Sequence, residues 1–111
     1  VLGNPAILSN VPVSNNKEDH VSMGATACYK LTQQNANLSR VIACELICAV
    51  EALRYNENHP SEILMKATQW ISERVPELTG DRSMGHEIQR LSDDLLSGQL
   101  STLMRNSMEH L

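Results

Sequence analysis

Leu38-Ser39-Arg40-Val41-Ile42-Ala43-Cys44-Glu45-Leu46-Ile47-Cys48-Ala49-Val50-Glu51-Ala52-Leu53 is the stretch whose spacing decides the fold class. Leu38, Val41, Ile42, Leu46, Ala49, Val50 and Leu53 return every three or four residues, the period of one face of an α-helix. Ser39, Arg40, Glu51 and Arg54 fill the other side. Upstream, no proline interrupts the chain back to Pro12. Residues 17 to 56 are therefore expected to be helical, as one long helix or as two with a bend near residues 33 to 37. Asn15 with Glu18, and Asn16 with Asp19, have the cap-plus-acid spacing of a capping box, with Asn in place of the usual Ser or Thr. Glu18 and Asp19 would then lie in a first helical turn, where the helix dipole favours negative charge.

Downstream, a turn is expected at Asn56-Glu57-Asn58-His59-Pro60. Residues 61 to 75 form a second amphipathic pattern through Ile63, Leu64, Ala67, Trp70 and Ile71, stopped by Pro76. The linker Thr79-Gly80-Asp81-Arg82 leads to a further helix at 83 to 97, carrying Ile88, Leu91 and Leu95, with Gly98 placed as its C-terminal cap. A weak amphipathic stretch at 100 to 111 is expected to fray. No run alternates with period two, so no strand is expected. The fold class is all-α, built of long amphipathic helices of the kind found in a larger helical-bundle enzyme. Residues 1 to 16, rich in Asn, Ser and Pro, read as an irregular connector, and 17 to 111 as the helical region.

Composition narrows the function classes. Hydrophobic residues are 41% of the 111 and charged residues 20%, a globular balance. Aromatics are only 3%, so a core must rest on Leu, Ile, Val, Ala and Met. Nine Lys and Arg against 13 Asp and Glu give a formal charge of -4, which excludes the basic face of a nucleic-acid binder. No apolar run reaches the roughly 20 residues that span a bilayer, so no membrane partner is expected. Val1-Leu2-Gly3-Asn4-Pro5 is not a signal peptide, and with no leading Met it reads as the middle of a longer chain.

Cys28, Cys44 and Cys48 are odd in number and cannot all pair within the chain. Cys44 and Cys48 share a helical face, but a structural zinc needs four N or S ligands and no further His or Cys lies nearby. No metal site is expected; each cysteine is expected to act as a small buried hydrophobe in a reduced, cytoplasmic setting. There is no phosphate loop, G-x-S-x-G elbow or H-E-x-x-H pair. His59, His86 and His110 read as ordinary surface residues, and the five Met residues as packing filler.

One constellation stands apart. Pro12-Val13-Ser14-Asn15-Asn16-Lys17-Glu18-Asp19-His20-Val21-Ser22-Met23-Gly24 gathers a rigid entry, small polar side chains, a Lys, two carboxylates and a His at a loop-to-helix junction. Side chains there can project into a cleft from a fixed backbone. Structural duties account for many of them: Asn15 and Asn16 as caps, Glu18 and Asp19 against the dipole, Gly24 for close helix packing.

The same string resembles the C-terminal signature of the histidine ammonia-lyases, usually P-T-S-A-N-Q-E-D-H-V-S-M-G. The similarity continues through Ala25-Thr26-Ala27 and Glu45-Leu46, and returns at Arg74-Val75-Pro76, Asp81-Arg82 and Leu96-Ser97-Gly98. Tyrosine and phenylalanine lyases and aminomutases of the same superfamily usually differ at the Glu and His positions. The resemblance implies non-oxidative deamination of L-histidine to trans-urocanate and ammonia, in histidine catabolism. It implies a methylidene-imidazolone cofactor formed from an internal Ala-Ser-Gly, and assembly with the rest of the lyase chain into a cytoplasmic homotetramer. The only Ser-Gly here, Ser97-Gly98, follows Leu96, so no cofactor is expected within this chain, and the fragment alone is expected to be inactive.

By the resemblance, Glu18 is the catalytic-site carboxylate that orients the substrate imidazole, with Asn16 and Lys17 beside it as substrate-binding residues. His20 is expected to support the contact residues rather than touch substrate. Asn15 stands where the family has Ala, and Lys17 where it has Gln, which adds a positive charge beside Glu18. Two other readings remain at this point: an aryl lyase or aminomutase of the same superfamily, and a non-catalytic helical interaction module.

Overall fold

The structure is a computed structural model that describes residues 2–57 and 59–109. A short 3₁₀ helix, Ala6–Ser9, precedes four α-helices: α1 Gly24–Leu53, α2 Glu62–Ser72, α3 Gly85–Leu96 and α4 Gln99–Met108. The described residues contain no β-strand, only one isolated bridge between Pro12 and His20. The fold is all-α. None of its helices is long and apolar enough to cross a membrane, among the described residues.

Residues 24 to 53 form one helix, with no break at 33 to 37. Its start is not where the capping boxes predict. Ser14, Asn15 and Asn16 take left-handed backbone angles, φ 54, 53 and 64°, so none can serve as the extended cap of a helix beginning at 17. Asn visits this region more readily than most residues, because its short polar side chain bonds locally. The helix begins instead at Gly24, whose N–H donates to the Ser22 hydroxyl at 3.4 Å. Glu18 and Asp19 consequently lie in a loop, not in a first helical turn.

The shorter helices follow their punctuation. Ser61 caps α2, its hydroxyl accepting from the Leu64 N–H at 3.4 Å. Glu62 in the first turn pairs with Lys66 at 2.8 Å, one helical turn on. Gly98, φ 77°, takes the left-handed turn between α3 and α4, and its N–H donates to the Leu95 carbonyl at 3.0 Å. A residue with a Cβ would be strained there. Helix α4 runs to Met108; the predicted continuation to residue 111 and its His110 lie outside the described residues.

The chain divides into two compact units, one up to Asn37 and one from Leu38 onward. In the first, the Lys30 ammonium donates to the Asn4 carbonyl at 2.8 Å, and the Gln34 amide to the Leu2 carbonyl at 3.1 Å, tying the opening segment to α1. In the second, Ala43, Ile47 and Val50 of α1 form the core with Ile71, Val75 and Leu91, flanked by Leu46, Trp70, Met84, Ile88 and Leu95.

That core uses a different face of α1 from the one the spacing predicts. Val50 is buried and Leu46 packs against the core, but Leu38, Val41 and Ile42 are 55%, 56% and 37% exposed. Between 38 and 53 the helix is apolar on two opposite sides. The shorter helices take the side with the small residues Ser39 and Ala43, both buried. There the hydroxyls of Ser39 and Ser92 meet at 2.6 Å, both buried. The same geometry leaves Cys44 and Cys48 off the buried face. Both are exposed, as is Cys28, so the expectation that the cysteines are buried hydrophobes does not hold.

Across the second unit, Arg74 ties three elements together. Its guanidinium donates to Asp94 at 2.7 Å, to the Trp70 carbonyl at 2.9 Å and to the Gln99 side chain at 3.0 Å. It also stacks 3.8 Å above the Trp70 ring.

Candidate functional site

The polar constellation at 12 to 24 folds as a closed loop ahead of α1. Pro12 and His20 pair as an antiparallel bridge at its neck. Inside, the Lys17 N–H donates to the Ser14 carbonyl at 3.1 Å, and the Glu18 N–H to the Val13 carbonyl at 3.4 Å. The three left-handed residues turn the chain between these bonds. Each costs of order 1 kcal/mol in a non-glycine residue, and such strain concentrates at functional sites.

A single side-chain bond reinforces the neck. His20 Nδ1 lies 3.3 Å from Asn10 Oδ1. A carbonyl oxygen only accepts, so Nδ1 is the donor in this contact.

Asn16, Lys17, Glu18, Asp19 and His20 are all exposed. The loop thus brings Asn16, Lys17 and Glu18 together on one exposed turn. A cleft of about 450 Å³ opens beside the loop, lined by Ala6, Ile7, Asn10, Met23, Gly24 and Ala27 among others, and none of the predicted site residues lines it. Lys17 makes no ion pair with Glu18 among the described residues, so the carboxylate is not occupied by its neighbour. No group of three or more His, Cys, Asp or Glu is placed to hold a metal ion, among the described residues.

Asn10 is the residue that sequence reasoning missed. It lies two positions before the motif and ten from its partner, beyond any helical or capping register. An Asn just after the short 3₁₀ helix, two residues before Pro12, is the one local hint.

Comparison with known proteins is specific: the family model of the aromatic amino acid lyases matches residues 1–75, and the chain belongs to that family. Several similar relatives within it are histidine ammonia-lyases. The chain is 42% identical over 101 residues to a histidine ammonia-lyase of Symbiobacterium thermophilum, covering 90% of this chain and 20% of the relative. It is 39% identical over 100 residues to that of Deinococcus radiodurans, covering 90% and 19%. It is 40% identical over 93 residues to that of Bacillus subtilis, covering 83% and 18%. The chain spans about a fifth of the length of these relatives.

Proposed function

We propose that this chain is part of a histidine ammonia-lyase, which deaminates L-histidine without oxidation to trans-urocanate and ammonia in histidine catabolism. The observation that carries the reading is Glu18, held on a closed loop with its carboxylate uncommitted, in a chain whose relatives are histidine ammonia-lyases. A carboxylate accepts from the N–H groups of an imidazole, which a phenyl or phenol ring lacks. A site built around such a bond rejects the analogue without it by as much as about ten-thousand-fold in favourable cases. Glu18 orients the ring, Asn16 and Lys17 flank it, and His20 holds the loop from behind.

This chain does not supply the methylidene-imidazolone electrophile. Its only Ser-Gly follows Leu96 and forms the turn between α3 and α4, with the Ser97 hydroxyl donating to the Asp94 carbonyl at 2.9 Å. In this reading the group comes from an Ala-Ser-Gly elsewhere in the lyase, and the 111 residues alone are inactive. The uncovered side of α1, with Leu38, Val41 and Ile42, supports burial against the rest of the lyase and further copies of it, in a cytoplasmic homotetramer.

The test follows urocanate absorbance with the lyase that contains this chain. Histidine turnover that falls at least tenfold in both Glu18→Gln and Glu18→Ala is the expected result. A folded lyase that turns over tyrosine or phenylalanine and not histidine would overturn the substrate reading, with Lys17 the first residue to revert to Gln.

A further inference from the structure

The loop that carries Glu18 has almost no packing of its own. From Pro12 to Ser22 only Val13 is even half-buried, so apolar burial does not hold it in place. Three left-handed residues push it towards other conformations. What opposes them is the pair of backbone bonds inside the turn, the Pro12–His20 bridge, and the side-chain bond from His20 Nδ1–H to Asn10 Oδ1.

Asn10 is well placed to act as the anchor of that set. Its own N–H donates to the Ile7 carbonyl at 3.1 Å, which closes the 3₁₀ helix. It is half-buried, and it lines the same cleft as Met23 and Gly24 at the start of α1. One residue therefore joins the segment before the loop to the ring that ends it, and Glu18 lies two residues from that ring.

We propose that Asn10 is a positioning residue for substrate binding: by its bond with His20 it clasps the loop shut and sets the direction of Glu18. This rests on the reading that Glu18 binds the substrate. Without the clasp, the neck opens through the backbone bridge alone, and Glu18 samples directions in which it misses the imidazole. The loss falls on binding more than on chemistry, because Asn10 touches neither substrate nor reacting atoms.

The experiment uses the whole lyase, with Asn10→Ala, Asn10→Asp, Glu18→Gln and the Asn10→Ala/Glu18→Gln double variant. Two quantities are read: histidine KM and kcat, and millisecond amide exchange in the peptide spanning residues 12 to 20. Asn10→Ala is expected to raise KM about fivefold, the worth of one neutral hydrogen bond, with a smaller change in kcat and faster exchange in that peptide. Asn10→Asp, which still accepts from Nδ1–H, restores both. The double variant is expected to bind no worse than Glu18→Gln, because Asn10 acts through Glu18. Unchanged exchange in Asn10→Ala, failure of Asn10→Asp to restore it, or additive KM effects would overturn the proposal. If Glu18→Gln leaves KM unchanged, the binding role of Glu18 falls instead, and the exchange measurement alone decides whether Asn10 holds the loop.

Discussion

Replacing Arg74 by Ala tests the packing of α2, α3 and α4 at its most connected point. The side chain is 14% exposed and its partner Asp94 21%, so water screens the pair only in part. Truncation removes the 2.7 Å charge-assisted bond to Asp94, the 2.9 Å bond to the Trp70 carbonyl and the 3.0 Å bond to Gln99. It also uncovers the Trp70 face, over which the guanidinium lies at 3.8 Å. A hydrogen bond to a charged group contributes about 1.5–3 kcal/mol net, and a partly desolvated cation–π contact about 1 kcal/mol. Gln99 keeps its 2.8 Å bond to Asp94 and offsets part of the loss. The expected cost is about 3 kcal/mol. Urea unfolding followed by helical circular dichroism reads it as a lower midpoint with an unchanged slope. Arg74→Lys keeps the charge but not the planar fork, so it recovers less than half. A loss below about 1 kcal/mol for Arg74→Ala, or full recovery by Lys, would refute this account of the network.

Three further outcomes follow from the second unit. Ser39→Ala costs about 1–2 kcal/mol by depriving the buried Ser92 hydroxyl of its 2.6 Å partner, and the Ser39→Ala/Ser92→Ala double variant costs less than the sum of the two single changes in the same unfolding assay. Thr68 Oγ1 is buried without a hydrogen-bond partner among the described residues, so Thr68→Val raises stability by about 1 kcal/mol. The Glu87 carboxyl is held below its ordinary value of 4.5, first by its own backbone N–H and then by its hydrogen bond with Arg82. A carboxyl with a lowered folded value contributes stability above its unfolded pKa and loses it as pH falls through the folded one. The stability difference between the parent and Glu87→Gln therefore shrinks on acidification from about pH 6 to pH 3.

Helix punctuation was the most legible layer of this sequence. Gly98 acts as its type and position suggest, because a left-handed turn is decided by a few neighbouring atoms. The choice of face on α1 was not legible. Leu38, Val41 and Ile42 and the buried set Ala43, Ile47 and Val50 have the same helical period, and only tertiary packing against Leu91 and Ile71 decides between them. The start of α1 misled for a local reason. Asn15 and Asn16 suit a helix cap and a left-handed turn equally well, and the Pro12–His20 bridge selects the turn. Glu18 is singled out by its motif, whereas the contact of Asn10 with His20 needed coordinates, since a bond across ten residues leaves no periodic trace.

The left-handed run at Ser14, Asn15 and Asn16 divides the loop into positions with different freedom to vary over evolutionary time. At those three, the backbone admits Gly, Asn, Asp and a few other small or polar residues, and it penalises Val, Ile or Thr whatever chemistry they might bring. Lys17 and Glu18 carry no such restriction, being outside the positive-φ set. Drift in this loop is thus channelled: the hinge stays small and polar, while the backbone at position 17 is open to diversification. A lineage can retune the charge at position 17 without rebuilding the turn that carries it.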